Sequence, residues 1–481
     1  MSGAVTTART GYATGWGAVD DSSRDSSRRL RPGHRARRDN TSRLVAGLLL
    51  WLGLLLVTYW WVADGGISDL GGWATALMSV GRIAGLWSAQ LLLVQVLLMA
   101  RLPWLENAYG RDRLVRIHRV VGFTSFSLMV THVVVIIGGY AAGQWSAVLS
   151  TTWDLVTTYG GMLLAAAGTV CLVMVVVTSL RAARRRLRYE SWHLLHLYAY
   201  LGVGLALPHQ LWTGQEFLQS RTATIYWWAL WAVTAVAVLV WRVALPLIRS
   251  TRHQLRVTSV VPESSDVVSV YLTGRRLDAL PLEAGQFLNV RFLSGAGWTR
   301  SNPYSISAAP DGHSIRLTAR LVGDGSRRMA AVPPGTKVTF EGPYGRLGER
   351  ARHSRRVLMI GAGVGITPLR ALAEGLDYAP GDAALIQRYR DEPLFTDELG
   401  VLATERGLQV AFLPGRRTNA TSVLGPLATG PEDEVLRAWV PDLAERDVFV
   451  CGPTPWTARV VKLCRAAGVP GDRIHTESFG W

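Results

Sequence analysis

The pattern of hydrophobic and polar positions changes once along the chain, near residue 250. Before that point, long runs of Leu, Val, Ala and Trp are separated by short polar links. Crossing about 30 Å of hydrocarbon takes roughly 20 residues of helix, and six runs reach that length. They lie at residues 44–63, 76–100, 118–139, 158–180, 192–212 and 224–248. This half of the chain therefore predicts a membrane domain of six helices.

The remainder of the chain shows two further patterns. Short β-branched stretches broken by Gly and Pro run to residue 344, which predicts a small antiparallel β-barrel. From residue 355, buried strands alternate with glycine-containing turns and helices, which predicts a doubly wound α/β nucleotide-binding domain. We expect four parts, namely a disordered basic cytoplasmic arm at 1–42, the six-span domain at 43–250, the barrel domain at 251–352 and the α/β domain at 353–481.

Charge adds the orientation of the six spans. The net charge of +16 would suggest a nucleic-acid partner if it lay on a soluble domain. Most arginines of the first 252 residues instead flank the apolar runs, in the N-terminal arm and at 101–119, 181–188 and 249–252, whereas the opposite links hold only Arg221. Arginine and lysine favour the cytoplasmic side of a membrane protein. We therefore expect a multi-pass protein of the cell membrane, with its N terminus and both soluble domains in the cytoplasm and no nucleic-acid partner.

Two of the predicted spans carry histidines at matching depths. The third span holds His118 and His132, and the fifth holds His196 and His209. Fourteen helical steps bring His132 back to within ~40° of His118 and ~21 Å farther along. An inner pair, His118 with His196, and an outer pair, His132 with His209, would bind two haems, each iron held by one imidazole from each helix. The alternative is that these histidines only form hydrogen bonds with neighbouring spans.

Other residues in and near these spans bear on the proposed histidine pairs. Thirteen steps from His196 place His209 ~140° from the same face of an ideal helix, although Pro208 can end or distort the helix there. His193 is a rival to His196 that lies one turn nearer the cytoplasm, where a structural or propionate-binding role fits better. Arg82 lies near the outer end of the second span. Its side chain either extends to the membrane surface or provides a charge beside the outer haem, as the partner of a propionate or on the side of the acceptor. Cysteine is excluded as the main metal ligand, because three residues cannot form a Cys₄ cluster.

Two glycine-rich turns in the soluble half suit phosphate groups. In "VGDGSRRMA" (322–330), a turn opens a short helix whose backbone N–H groups would suit a pyrophosphate. In "GAGVGITP", Gly361, Gly363 and Gly365 let the backbone approach a phosphate, and Pro368 lies in the first turn of the following helix. A later strand runs into the segment "CGP".

The choice between NADPH and NADH depends on two arginines. Arg388 and Arg390 follow the second strand of the α/β domain. At that position they either pair with the 2′-phosphate of NADPH or remain solvated at the surface. We expect NADPH, with NADH as the alternative.

These features together carry a resemblance to a known family. The paired intramembrane histidines, "NPYSIS" with "EGPYG", and "GAGVGITP" with "CGP" follow one another along one chain. In that order they resemble the ferric reductase and NADPH oxidase superfamily, in its bacterial single-chain form, over residues 44–481. The resemblance implies FAD on the 251–352 domain, NAD(P)H on the 353–481 domain, and a b-type haem at each histidine pair.

The same resemblance assigns individual residues. The expected FAD-binding residues are Arg300, Asn302, Pro303, Tyr304, Ser305, Arg320, Gly323, Gly325 and Ser326. The expected NAD(P)H-binding residues are Gly361, Gly363, Gly365, Thr367, Pro368, Arg388, Arg390, Gly452 and Pro453. Cys451 matches the segment beside the nicotinamide, and Arg82 resembles an arginine beside the outer haem. Phe479 or Trp481 would cover the flavin ring, and ordinary packing is the alternative for both.

Two positions depart from the family pattern. Asn302 stands where the family usually has His or Arg, and Arg300 is the candidate to compensate. Gly202 stands where the family often has an aromatic residue between the two haems, and Phe126 is a neighbouring candidate for that place. The route between the haems is therefore left unassigned.

The order of these cofactors predicts the function. NAD(P)H gives two electrons as hydride whereas haem accepts one at a time, so flavin is the converter between them. Electrons would leave the outer haem for an extracellular acceptor, reduced at the haem edge because both axial positions are filled. The acceptor is left open between oxygen, giving superoxide, and a ferric chelate. Alternatively, the chain is an electron-supplying module for a partner redox protein. A transporter with a fused reductase fits poorly, because the spans offer few polar groups to line a path.

Overall fold

A computed structural model describes residues 34–187, 189–214, 216, 220–295, 297–415 and 422–478. Phe479 and Trp481, the two candidates for the flavin cover, lie outside the described residues. The chain divides into two compact units, of which one holds Asp39–Leu245 and the other holds the described residues up to Arg38 and those from Pro246 onward.

The first unit is helical. Its helices are α1 (His34–Ala63), α2 (Trp73–Met99), α3 (Pro103–Tyr109), α4 (Arg111–Tyr140), α5 (Val148–Thr158), α6 (Met162–Ser179), α7 (Arg181–Arg184), α8 (Tyr189–Thr213) and α9 (Arg221–Val238). A π-helical segment (Leu239–Ala244) joins α9 to α10 (Leu245–His253), which begins the second unit.

Five helical segments among the described residues are long and apolar enough to cross a membrane. They are Arg38–Ala63, Trp73–Met99, Arg113–Tyr140, Met162–Ser179 and Arg221–His253. The predicted fifth span forms as α8, a helix of 25 residues, but it is not among these five. Its histidines and Gln210 make it less apolar than the others. The multi-pass membrane domain is therefore confirmed, and the count of six spans stays a prediction.

Close helix packing organises this unit into pairs, with α2 along α4 and α6 along α8. Small residues let helix backbones approach each other in a membrane, where apolar burial does not drive association. At the crossing of α6 and α8, a Cβ on Gly202 would lie 3.0 Å from the carbonyl oxygen of Gly168. This contact explains the departure at position 202, because an aromatic side chain there would meet the backbone of α6.

After α10, the second unit contains six antiparallel strands. They are β1 (Arg256–Ser264), β2 (Val267–Thr273), β3 (Phe287–Phe292), β4 (Asn302–Ser305), β5 (Ser314–Arg320) and β6 (Val338–Tyr344). The strands form two three-stranded sheets, in the orders β1-β2-β5 and β4-β3-β6, around one apolar core. The two sheets are separate and are linked by the isolated bridges Arg256–Lys337 and Ile306–Leu317. Because the strands do not form one continuous sheet in the described residues, the predicted barrel is not confirmed. A short helix, α11 (Asp324–Ala330), follows β5.

A five-stranded parallel sheet completes the second unit. Its strands are β7 (Val357–Ala362), β8 (Ala383–Arg388), β9 (Gln409–Leu413), β10 (Asp447–Gly452) and β11 (Ile474–Ser478). The associated helices are α12 (Ile366–Gly375), α13 (Thr396–Arg406), α14 (Glu432–Trp439) and α15 (Thr454–Ala466). Alternate strand residues enter two separate apolar cores, one on each face of the sheet. The strand order β11-β10-β7-β8-β9 reverses direction between β7 and β10. This is a doubly wound sheet, and nucleotides bind at such a reversal, beyond the carboxyl ends of the strands.

Candidate functional site

The two inner histidines face each other from α4 and α8. The ring centroids of His118 and His196 are 6.1 Å apart, with an angle of 66° between the ring planes. A metal ion bound at about 2 Å by an imidazole nitrogen on each side would separate the centroids by roughly 6 Å. The inner pair therefore meets the spacing of two axial ligands of one iron.

Each of the four predicted ligands has its Nδ1 atom against an oxygen. His118 Nδ1 is 3.2 Å from the carbonyl of Gln95, His132 Nδ1 is 2.8 Å from that of Gly81, and His209 Nδ1 is 2.7 Å from that of Ala206. A carbonyl oxygen only accepts, so these three Nδ1 atoms donate. This tautomer leaves the Nε2 lone pair available, as in metal-ligating histidines whose other nitrogen donates to a backbone carbonyl.

The fourth histidine reaches the same state through a hydroxyl. Nδ1 of His196 is 3.3 Å from Ser179 Oγ. That hydroxyl donates its proton to the carbonyl of Val175 at 2.7 Å, so it can only accept from the imidazole. Nε2 of His196 is therefore also the nitrogen with the lone pair.

Helix α2 supplies the acceptors for both histidines of α4. Gln95 and Gly81 are 14 residues apart, as are His118 and His132, and the two helices run antiparallel. One turn from Gly81, a Cβ on Gly85 would lie 2.6 Å from His132 Nδ1. The sequence "GRIAG" thus holds the outer histidine against α2, and this positioning role was not predicted.

His209, the predicted partner of His132, lies directly after Pro208 on α8. Helix α8 continues through this proline to Thr213, so Pro208 does not end the helix. His193, the rival ligand, is exposed on α8.

Carboxylates surround Arg82. Its guanidinium contacts Asp69 at 3.0 Å, Glu216 at 3.3 Å and Asp64 at 3.8 Å. Burial raises the pKa of Glu216, and the charge of Arg82 opposes that shift. The guanidinium therefore lies in an ion-pair cluster, and a haem propionate would have to displace one of these carboxylates.

The flavin-binding residues expected from the sequence gather at two adjoining segments. The Tyr304 hydroxyl, on β4, donates to the carbonyl of Gly325 at 3.3 Å, and burial raises the pKa of this phenol. A Cβ on Gly325 would meet the Asn302 side chain. Ser326 Oγ accepts from the N–H of Gly323 at 3.2 Å and fixes the turn.

Charged residues flank the same segments. Arg300 Nη1 lies 3.9 Å from Oδ2 of Asp324, the first residue of α11. Arg320, at the end of β5, pairs with Asp266 at 2.6 Å. Pro303 and Ser305 lie on β4, where they pair with Asn289 and Phe287 of β3.

A cleft of about 520 Å³ lies at the reversal of the parallel sheet. Its wall includes Arg320 of β5 and the turn between β1 and β2. Six of the predicted NAD(P)H-binding residues also line the cleft, namely Gly363, Gly365, Arg388, Arg390, Gly452 and Pro453. Gly361 is the second-last residue of β7, and Thr367 and Pro368 are buried in α12. A side chain at Gly365 would collide with the carbonyl of Cys451 on β10. Glycine is therefore required in this turn after β7, which passes close to the end of β10.

Cys451 is fully buried at this edge. Burial raises the pKa of the Cys451 thiol well above its ordinary value, and the Glu477 carboxylate adds to the shift. The thiol is therefore neutral at physiological pH. Glu477, which pairs in register with Cys451 from β11 and approaches Gly345, was not predicted. Sequence pattern alone offers no signal for it, because β10 and β11 are brought together only by the sheet order.

The two candidate arginines for the 2′-phosphate have different environments. Arg388 is buried, and its Nη1 donates to the carbonyls of Leu413, Pro414 and Gly415, each at 2.9 Å. Its guanidinium therefore shapes the cleft wall through backbone contacts. Arg390 is exposed and lines the cleft, so it is the arginine better placed to meet a phosphate.

Comparison with known proteins identifies the two halves of the chain separately. Residues 84–207 match the family described as ferric reductase like transmembrane component. The chain is 30% identical over 239 residues to the ferredoxin reductase component of 3-ketosteroid-9-alpha-monooxygenase of Mycolicibacterium smegmatis, a match that covers 47% of the chain and 65% of that protein. The chain thus spans less than two thirds of this relative's length.

Further matches have the same extent. Ferredoxin--NADP reductase B of Sorangium cellulosum is 29% identical over 251 residues, covering 48% of the chain and all of that protein. Among solved structures, the flavohem-like FAD/NAD binding domain of nitric oxide dioxygenase from Vibrio cholerae is 23% identical, with a TM-score of 0.37, covering 48% of the chain and all of that domain. The chain combines a ferric reductase-like membrane domain with a ferredoxin reductase-type soluble half. This is the layout predicted from its resemblance to the ferric reductase and NADPH oxidase superfamily.

Proposed function

We propose that this protein is a transmembrane oxidoreductase that passes electrons from cytosolic NAD(P)H through FAD and two b-type haems to an acceptor on the outer face. The observation that carries the proposal is the state of the four histidines on α4 and α8. All four have Nδ1 committed to an oxygen acceptor, which directs four Nε2 lone pairs toward metal binding. Histidines serving only as hydrogen-bond donors would not require two pairs at two depths.

The residues of the membrane unit would bind and orient the haems. The inner pair would hold one iron and the outer pair the other, while the carbonyls of Gln95 and Gly81 keep two of the rings in place. When bound, FAD converts two-electron hydride donation into single electrons, and haem carries them singly. The distribution of arginines supports a cytoplasmic position for the soluble half.

The residues of the soluble half would bind the two nucleotides. The turn at Gly323–Ser326 and the strand β4 would hold FAD, and the cleft at the sheet reversal would hold NAD(P)H. Cys451, being neutral and buried, would pack beside the nicotinamide without acting as a nucleophile. Relatives named as ferredoxin reductases support this division of the soluble half.

The test of the proposed function is an anaerobic reduced-minus-oxidised spectrum of the purified protein, with NADPH as the only reductant. We expect flavin bleaching together with a b-type haem signal, at two haems per flavin. Flavin bleaching without any haem signal would mean that the histidines of α4 and α8 are structural.

Replacing Arg390 with alanine is expected to raise KM for NADPH by roughly 10- to 100-fold, the contribution of one hydrogen bond to a charged group. KM for NADH should stay the same, because NADH lacks the 2′-phosphate. Steady-state reduction of the flavin with each nucleotide measures both constants. The contrasting variant is Arg388→Met, which removes carbonyl contacts and should lower Tm and impair both nucleotides alike. Equal changes for NADPH and NADH in Arg390→Ala would rule out this residue as the phosphate ligand.

The acceptor is proposed as oxygen, giving superoxide, or a ferric chelate. The alternative, electron supply to a partner redox protein, is favoured by a surplus of negative charge, because Arg82 contacts the two aspartates Asp64 and Asp69. Such a surplus attracts a cationic protein surface and repels an anionic chelate. Turnover of NADPH by the purified chain with oxygen or ferric citrate alone would decide for the small acceptor, and no turnover would decide for the partner.

A further inference from the structure

Two histidines and an aspartate form a cluster at the edge of the parallel sheet opposite the nucleotide cleft. Asp447 is the first residue of β10, His475 is the second residue of β11, and His353 lies in the segment before β7. These positions are the amino-terminal ends of three adjacent strands, with β10 in the middle. We call them the His–Asp–His cluster. It shares no residue with the histidine pairs or the cleft.

The three ligand atoms of the cluster are close enough for one ion. Asp447 Oδ1 is 2.8 Å from His475 Nε2 and 3.5 Å from His353 Nδ1, and all three atoms lie within 4.8 Å of one another. An ion that binds nitrogen and oxygen tetrahedrally at about 2.0–2.1 Å separates its ligand atoms by roughly 3.3 Å. Only small side-chain adjustments are therefore needed to surround an ion.

The carboxylate is held in position by its other oxygen. Asp447 Oδ2 accepts the backbone N–H groups of His353 at 2.7 Å and Ser354 at 2.5 Å, which leaves Oδ1 directed at the two imidazoles. Such outer contacts orient the ligands of metal sites. His353 Nδ1 is buried and has no hydrogen-bond partner among the described residues, which is the state expected of a ligand atom.

The charge of the cluster suits a cation. The carboxylate of Asp447 is fully buried and adjacent to two imidazoles. The side chain of His353 is 30% exposed, which gives an ion and a water molecule access to the cluster.

We propose that the His–Asp–His cluster binds one divalent transition-metal ion, with Zn²⁺ as the representative, and that water completes its coordination. Imidazole with carboxylate suits Zn²⁺ and its neighbours in the first row, whereas Mg²⁺ and Ca²⁺ prefer sites made of oxygen ligands. The ion fastens β11, the last strand, to β10 and to the segment before β7. Because β11 also carries Glu477 beside Cys451, the ion stabilises one wall of the nucleotide edge from its far end.

The test is equilibrium dialysis of the full-length, haem-loaded protein against Zn²⁺, after treatment with a chelator. We expect one saturable equivalent of Zn²⁺, not displaced by excess Mg²⁺, and a rise in Tm on binding. His353→Gln and His475→Gln should each weaken binding by more than the roughly 10- to 100-fold that loss of an outer contact costs. The matched control is His313→Gln, which removes an exposed histidine of the same unit and should bind Zn²⁺ like the wild type.

A second measurement keeps the proposal independent of how the variants fold. Co²⁺ added to the wild-type protein should give the visible d–d absorption of a four-coordinate site with nitrogen and oxygen ligands, and Zn²⁺ should abolish it. The proposal is overturned if the wild type binds no stoichiometric Zn²⁺, or if both cluster variants bind it as tightly as His313→Gln. In that case the cluster is a hydrogen-bond network that only joins three strands.

Discussion

Replacing either His132 or His209 with alanine is expected to abolish electron transfer across the membrane while leaving NAD(P)H-to-flavin reduction intact. Each histidine is a proposed ligand of the outer haem, and its Nδ1 is fixed by a backbone carbonyl. Loss of an outer contact alone costs about 10- to 100-fold in activity at a metal site, so loss of the ligand itself should exceed that. The nucleotide and flavin residues belong to the other compact unit and are unchanged by the substitution.

The measurement is a pair of assays on the same preparation reconstituted in vesicles. One assay follows flavin reduction by NADPH in stopped flow, and the other follows reduction of an acceptor enclosed on the opposite side. The control is Leu194→Ala, which truncates an outward-facing side chain of α8. Equal loss of both activities in His132→Ala and His209→Ala would contradict the proposed order of electron transfer.

The second large effect is expected from Gly85→Val, which should remove the outer haem and spare the inner one. A Cβ at this position would lie 2.6 Å from Nδ1 and 2.9 Å from Cε1 of His132, so valine must displace the ring from the carbonyl of Gly81. Overpacking of this kind typically costs about 1–3 kcal/mol, and here the ring that must yield is the proposed ligand. We therefore expect the haem content to fall from two per flavin to one.

Haem-to-flavin stoichiometry and a potentiometric titration of the remaining haem measure this effect. Gly204→Val is the matched control, since it makes the same change on a haem-bearing helix where a Cβ would meet nothing within 4 Å. The two variants share the same change in hydropathy and helix propensity. If Gly85→Val keeps two haems with unaltered potentials, the close approach of α2 does not position His132.

Local patterns were sufficient for much of the architecture. Long apolar runs predict spans because a helix in lipid must satisfy its own backbone, and this requirement acts within one segment. The strand–turn–helix at Gly361–Pro368 was predicted for the same reason, since glycine and proline act on adjacent backbone. The predicted barrel was the weaker result, because separate sheets and a closed barrel use the same alternation of residues.

The candidate site depends on contacts between segments that are distant along the chain. The spacing of His118 and His132 follows from helix geometry, but the carbonyls that orient both rings belong to α2. The sequence predicts Arg388 as a phosphate ligand. In the structure its guanidinium instead donates hydrogen bonds to the carbonyls of residues 413–415, some 25 positions later in the chain. Both outcomes depend on which helix or loop packs alongside, and hydrophobic periodicity does not encode that choice.

The sequence by itself predicted the membrane helices, the alternation of strands and helices in the α/β domain, and the two histidine pairs proposed to bind haem. Each of these depends on residues within one helix or one turn, where side-chain period and backbone preference suffice. Only the tertiary structure decided the carboxylates around Arg82, the approach of Glu477 to Cys451, and the meeting of His353 with Asp447, 94 residues away. These contacts join distant segments, and they form because burial and strand pairing, rather than chain neighbours, select the partner of each polar group.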